Sequence, residues 1–472
     1  MEKFFKLKEN GTDVKTEILA GITTFMTMAY IIALNPNLLA NFQVGTPLWN
    51  AVFLATVIST GIGTLLMALL ANKPFAMAPG MGLNSYFAAT VAGIAAVAGI
   101  TYEKAFSAGM VIILLEGIVF TVLTLMKIRE QIVKAIPLSI RQGIPAGIGL
   151  MLLNIGLTSN AGIYTADGGP FYMLTHFFGA YNGDSAKTTI GTGYPMMVLY
   201  AVCMLVGVFA IAILARRKIR GSVLLGMLIS SVIYWVGAFA MGVNPFASLK
   251  GASFVPPFAD MLNVTFFKFD FKTLFSIGIT TAVMYIITFC MVDMFDTIGT
   301  LLGTARRAKM VDVAGDMPQM NEAMLSDAIG TVVGACTGTS TVTTFIESAA
   351  GVEEGGRTGL TSLTTAILFF AAMFLAPIAG LVPAPATSAA LVYVGTLMMG
   401  SLKEMDVDDV ASTVPVSLML IFMVGTSGIG NGIGIGLIAY SIIKIFTGRA
   451  KEVSGLTIVL SVLFLMKFFL AL

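Results

Sequence analysis

The chain has 472 residues, of which 57% are hydrophobic and only 11% charged, with a formal net charge of +2 and a mean hydropathy of +0.91. Globular domains carry about 25% charged residues, so this composition is that of a polytopic, all-α integral membrane protein. The basic residues are scattered among loops rather than gathered on one face, which argues against nucleic acid as a partner.

The N-terminal string MEKFFKLKENGTDVKTE is polar and lacks an apolar core and a cleavage site, so no removable signal peptide is expected. Apolar runs that mark membrane spans are read at 17–39, 47–71, 80–98, 105–127, 143–159, 194–215, 222–242, 273–301, 322–335, 341–351, 357–381, 385–401, 413–428 and 430–447, fourteen in all, several of them short, notably the third, ninth and tenth. The tail 455–472 is either a further span or an interfacial helix. With alternating spans and a cytoplasmic N-terminus, 21 Lys and Arg fall inside and 5 outside, Lys467 left aside. That asymmetry is the positive-inside pattern of a cell-membrane protein. The long loops 160–193 and 243–272 then lie outside, and the sole histidine, His176, falls in the first and is set aside. Cys203, Cys290 and Cys336 sit in apolar stretches with no metal-ligand or disulfide spacing, so they are expected as small core residues and no metal or other cofactor is implied.

Two stretches repeat. The first span opens on Gly21–Thr24 (GITT) and the eighth on Gly278–Thr281 (GITT), each followed by Met, Tyr and two isoleucines in similar order, while Ile62–Thr64 (IGT) is matched by Ile329–Thr331 (IGT). Seven spans separate each pair, and an odd offset gives the two halves opposite polarity, so the chain reads as two inverted seven-span repeats.

After each IGT comes a segment that cannot run as lipid-facing helix. In NKPFAMAPGMGLNSYF, Pro74 and Pro79 remove backbone donors and Gly80 and Gly82 loosen the chain; in TGTSTVTTFIESAAG, β-branched hydroxyl residues favour an extended path and Glu347 adds a charge. Short extended stretches are therefore expected before half-helices 3 and 10, whose N-termini aim N–H groups at the midplane. Candidate substrate residues here are Asn84, Phe75, Ser340, Thr344, Phe345 and Glu347, with Ser85 and Ser348 in support; Phe75, Phe345 and Tyr86 are candidate stacking rings, although each taken singly reads as packing.

The eighth span carries CMVDMFDTIGTLLG, where Asp293 and Asp296 share a helix face with Thr297 and Thr300 nearby. Two carboxylates at hydrocarbon depth cannot both ionise cheaply, so this pair, with Glu347, is the expected proton-coupling group. Asp293 is also a candidate for substrate contact. Glu116 and Asp327 are buried acids for which packing roles are the better reading.

APGMGLNSYF, DMFDTIGTL and TTFIESAAGVEEGGRTGLT together make the whole chain resemble the AzgA-like purine permeases, a branch of the nucleobase/ascorbate transporter superfamily. The resemblance implies proton-coupled uptake of purine nucleobases (guanine and hypoxanthine favoured, adenine also accepted) by alternating access, in a commonly dimeric protein. It implies a core domain from 17–128 and 273–381, a gate domain from 129–242 and 382–447, and an apolar tail at 448–472. It places Glu347 where the uracil-type relatives carry their tenth-span Glu, with Ile346 in place of a glycine. Their eighth-span Glu falls on Asp296 or, one turn away, on Asp293, and their histidine on Thr300.

Two rival classes remain. An anion transporter of the sulfate or bicarbonate kind would use the two half-helix N-termini, but three acids beside them repel such a ligand. An enzyme would need a nucleophile, base or metal cluster, and none lies within the spans.

Overall fold

The computed structural model describes residues 2–41, 43–127, 136–157, 194–250, 252–307, 310–311, 317–406, 408–426 and 428–469. The predicted loop 160–193, with His176, lies outside the described residues.

In chain order the main elements are α1 Val14–Met28, α2 Ile31–Leu39, α3 Pro47–Leu66, β1 Met77–Pro79, α4 Met81–Ala98, α5 Tyr102–Leu125, α6 Leu138–Leu157, α7 Tyr194–Arg216 and α8 Ser222–Ala240. There follow α9 Ile279–Arg307, α10 Met320–Thr337, β2 Val342–Thr344, α11 Ser348–Glu353, α12 Gly359–Ala371, α13 Ala384–Met398, α14 Val410–Gly425, α15 Ile429–Phe446 and α16 Gly455–Phe469. By length and composition, eleven helices among the described residues suit a membrane crossing, α1 and α2 counting as one; α14 and α16 are shorter apolar helices.

The differences from the sequence reading are local. The first predicted span is two helices meeting at Ala29–Tyr30. The stretch after β1 is not a half-helix but the 18-residue α4, whereas the tenth predicted span contains only β2 and the six-residue α11. Polar residues explain the second difference: Thr339, Ser340, Thr341, Thr343 and Thr344 are buried and each seeks a partner, so they hold backbone extended rather than helical. The ninth predicted span is α10, a helix with Glu322 and Asp327 in it that is too polar to rank among the eleven. The C-terminal tail folds as α16 and packs on α15 and α9.

Helices α1–α5 and α9–α12 pack mainly on one another, and α6–α8 with α13–α15 form a second group through α6–α13, α6–α14, α7–α13 and α14–α15. The strands belong to the first group, packed on α3, α9 and α10. β1 and β2, from distant parts of the chain, pair antiparallel with Met77 opposite Thr344, Ala78 opposite Thr343 and Pro79 opposite Val342. Gly80 N–H donates to Thr341 O (3.1 Å) and Phe345 N–H to Ala76 O (2.9 Å), closing the ribbon at both ends.

A two-stranded ribbon leaves backbone groups on its outer edges, which inside a membrane protein need partners. The two IGT motifs supply them. Thr64 Oγ1 accepts from Met77 N–H (2.9 Å) and donates to Met77 O (3.1 Å), and Thr331 Oγ1 donates to Val342 O (3.1 Å). Between those threonines' helices, Gly63 and Gly330 let α3 and α10 cross closely, a Cβ on Gly330 coming within 3.6 Å of the Gly63 Cα. The segments entering the strands are also held in parallel fashion: Ser362 Oγ on α12 lies 2.7 Å from Lys73 O and 2.9 Å from Phe75 O and donates to one of them at a time, and Thr341 donates to Glu116 Oε2 on α5 (2.7 Å).

Candidate functional site

Beside the ribbon lies a cavity of about 540 Å³. One wall comes from the first helix group: Tyr30 at the α1–α2 junction, Gly80–Gly82 at the start of α4, Phe295, Asp296, Gly299 and Thr300 on α9, and Thr343–Glu347 at the end of β2. The facing wall is Pro145 on α6 with Val394, Leu397, Met398, Gly400 and Ser401 from α13 and the turn after it. Small ligand sites commonly combine mostly apolar walls with a few placed polar groups. Here those polar groups are two carboxylates and several hydroxyls.

Backbone breaks put each group in place. The turn between β2 and α11 carries Phe345, Ile346 and Glu347, and Glu347 makes no capping bond to its own helix, so its side chain is available to the cavity. Tyr30 OH donates to Glu347 Oε1 at 2.7 Å. Gly80 is required by proximity: a Cβ there would stand 2.7 Å from Thr343 Cγ2 and 3.6 Å from Asp296 Oδ2, so the bare backbone lets the start of α4 lie against the acid.

A buried polar cluster stands behind Asp296. Thr297 Oγ1 lies 3.1 Å from Asp293 Oδ1, 3.0 Å from each Asp327 oxygen and 2.8 Å from Thr343 Oγ1, and all four residues are almost fully buried. A hydroxyl carries one proton, so Thr297 donates to one of these neighbours at a time while Thr343 links the cluster to the cavity wall.

The predicted residues thus divide. Glu347, Asp296, Thr300, Thr344 and Phe345 line the cavity together. Asp293 and Thr297 lie one layer back. Asn84 is fully buried away from the lining, its Nδ2 donating to Pro79 O (3.1 Å) while Ser340 Oγ donates to its Oδ1, so the pair pins the two broken segments together. Ser85 bonds Met81 O (3.0 Å), and Ser348 Oγ accepts from Ala76 N–H (2.9 Å). Phe75 packs with Met67, Met77, Leu301 and Met324, away from the cavity. Tyr86 stacks on Phe289, ring centroids 4.5 Å apart, and is not in the lining either. Cys203 and Cys290 are buried, as expected, and Cys336 partly so.

Sequence reasoning missed Tyr30, Thr343 and the α13 wall. Tyr30 had a signal, since it belongs to the Met, Tyr, Ile, Ile residues that recur in similar order in the two repeats; the α13 residues are ordinary apolar residues with none. It also passed over Glu17, a fully buried carboxylate that accepts from Arg357 N–H (2.7 Å), Thr361 N–H (3.1 Å) and the hydroxyls of Thr358 (2.9 Å) and Thr361 (2.7 Å), tying α1 to the start of α12.

A model described as a permease family matches residues 15–435. Among curated proteins, the guanine/hypoxanthine permease PbuO of Bacillus subtilis is 39% identical, covering 99% of this chain and 100% of its own length, and the adenine permease AdeP of Escherichia coli is 35% identical, covering 99% and 95%. Among solved structures, the transmembrane domain of the cyanobacterial bicarbonate transporter BicA superposes with a TM-score of 0.63 at 14% identity, over 89% of this chain and 97% of that one. At that identity the likeness is one of fold.

Proposed function

The chain belongs to the nucleobase/ascorbate transporter superfamily of permeases, which makes it a transporter and not an enzyme, and on that premise we propose that it carries purine nucleobases into the cell together with protons. The observation that supports this reading best is the cavity itself, where a carboxyl group, Glu347, and an aromatic ring, Phe345, share one wall with a second acid, Asp296. An ionised carboxylate accepts hydrogen bonds and donates none. Guanine offers two parallel donors, N1–H and the 2-amino group, matched to its two oxygens in a charge-assisted pair. Hypoxanthine keeps N1–H alone, and adenine presents an acceptor at N1. With Glu347 ionised when substrate binds, the order of preference is guanine, hypoxanthine, adenine.

Asp296, Asp293 and Glu347 are the proposed coupling acids, with Thr297 and Thr343 connecting the buried Asp293 to the cavity. Supporting contacts come from Thr300, Thr344 and, through the backbone they hold, Asn84, Ser85, Ser340 and Ser348. The first helix group serves as the core and the second as the gate, in two inverted seven-span halves. Antiparallel pairing of β1 with β2 and the equivalent work of Thr64 and Thr331 favour that symmetry. The cavity reaches Gly400 and Ser401, just before Lys403 at the end that the charge count assigns to the cytoplasm, so this conformation reads as inward-open. A homodimer in the cytoplasmic membrane, N-terminus inside, completes the proposal.

An anion carrier on the same fold is disfavoured by two carboxylates in one cavity, which repel sulfate or bicarbonate. Uptake by proteoliposomes of radiolabelled guanine and of radiolabelled sulfate, with a proton gradient imposed, separates the readings. Guanine accumulates and sulfate does not; the reverse result rejects the purine reading.

A further inference from the structure

We propose that Tyr30 is the positioning residue that fixes Glu347 for base recognition and thereby sets the preference for donor-edged purines; this rests on the reading of Glu347 given above. Tyr30 sits where α1 stops and α2 begins, its body 1% exposed among core residues and its hydroxyl reaching the cavity. The break at Ala29–Tyr30 gives the helix pair a purpose, because a continuous helix would carry this side chain along its flank instead of aiming the hydroxyl across to the β2–α11 turn. The bond to Glu347 Oε1 is 2.7 Å long, within the range of a charge-assisted hydrogen bond. Glu347 has no other side-chain donor among the described residues and does not cap its own helix, its own backbone N–H being the further contact of the carboxylate. The phenol is therefore the one side chain that fixes the plane in which the carboxylate lies.

The consequence for selectivity follows from lone pairs. A carboxylate has about four acceptor positions. With one of those on Oε1 taken by Tyr30, the remaining position on Oε1 and those on Oε2 present an acceptor pair of defined direction. A base edge with two donors in line gains two bonds there, whereas an edge that offers an acceptor meets lone pair against lone pair. Once the phenol is gone, nothing fixes the plane of the carboxylate, so the donor-edged base loses its alignment; a proton taken up from the cavity then turns the group into an O–H donor, and the acceptor-edged base loses its penalty. Phe345 and Ile346 on the same turn supply surface to any planar base and do not discriminate between edges.

The test is the ratio of KM for adenine to KM for guanine, measured by uptake into proteoliposomes holding the full chain. In Tyr30→Phe the ring packing is kept and the hydroxyl removed. A hydrogen bond to a charged group is worth about 1.5–3 kcal/mol, so the ratio should fall by about 10- to 100-fold, with guanine KM rising and Vmax changing little. In a Glu347→Gln background the same substitution should leave the ratio unchanged, since Tyr30 acts through that carboxylate. Equal changes in both KM values, or an undiminished effect in the Glu347→Gln background, overturn the proposal. If Tyr30→Phe does not fold, difluorotyrosine at position 30 keeps the shape and strengthens the donor; a raised ratio then supports the role, and an unmoved ratio overturns it. Failure of the underlying reading looks different, because the parent protein would already take adenine in preference to guanine.

Discussion

Replacing Thr64 and Thr331 by valine, one at a time, tests whether the paired IGT motifs carry the ribbon that shapes the cavity. Valine keeps the volume and removes the hydroxyl. In Thr64→Val two buried backbone groups, Met77 N–H and Met77 O, lose their partner; in Thr331→Val only Val342 O does. Each buried group left unsatisfied costs about 1–3 kcal/mol, so the first substitution should cost about 2–6 kcal/mol and the second about half of that. Both strands feed the cavity, β1 through Gly80 and Met81, β2 through Thr343 and Thr344. Guanine KM should therefore rise in the same order as the stability loss. The assay is thermal denaturation of the purified protein in detergent, with and without guanine, beside uptake in proteoliposomes. Equal destabilisation by the two variants, or a neutral Thr64→Val, would refute the reasoning.

Asp296→Asn should abolish uphill uptake while sparing counterflow exchange. One charge moved across about 100 mV is worth about 2.3 kcal/mol, roughly a fifty-fold accumulation. An Asp296→Asn protein that still concentrates guanine and still collapses with a protonophore removes that acid from the coupling. For topology, single cysteines at the exposed positions Lys250 and Lys218 should differ in labelling by an impermeant maleimide on intact cells, Lys250→Cys reacting and Lys218→Cys protected; equal labelling contradicts the orientation. At the end of α15, the cluster of Lys444, Asp409, Arg449 and Glu452 gives a pH effect with a definite sign. Hydrogen bonds from Arg449 and Lys444 hold the Glu452 carboxyl below its ordinary value near 4.5. Its contribution to stability is thus complete above that value and is lost as pH falls through the lowered one. Glu452→Gln should flatten this acid limb of a detergent stability profile, and an unchanged limb would show that other acids produce it.

Much of the molecule was legible in its sequence because a bilayer penalises polar groups so strongly. The polar, glycine- and proline-broken segments at Asn72–Phe87 and Thr337–Gly351 stood out against apolar neighbours, and the structure makes them the two strands of one ribbon. The IGT repeat was visible as letters, and its physical meaning, a hydroxyl for each strand edge, emerges only in the fold. Exact helix counts were not legible. Hydropathy treats a buried hydroxyl run such as Ser340–Thr344 as a weak span, whereas hydrogen bonding makes it a strand. The site was half legible. Acids at membrane depth announce themselves, so Glu347 and Asp296 were found, but depth alone does not distinguish a cavity wall from the layer behind it, where Asp293, Asn84 and Phe75 lie. Tyr30 and Glu17 were missed since each gains its role from a partner more than 300 positions away.

The most direct test of purine recognition by Glu347 is competition of labelled guanine uptake by unlabelled guanine, hypoxanthine and adenine, in the parent protein and in Glu347→Gln. The amide puts a donor where an acceptor is needed, leaving a base donor unpaired. The parent should rank guanine first, hypoxanthine second and adenine third, and Glu347→Gln should lose most guanine competition while retaining adenine's. Adenine competing better than guanine in the parent, or a Glu347→Gln protein with the parent's order intact, would contradict the assignment of Glu347 as the group that reads the base edge.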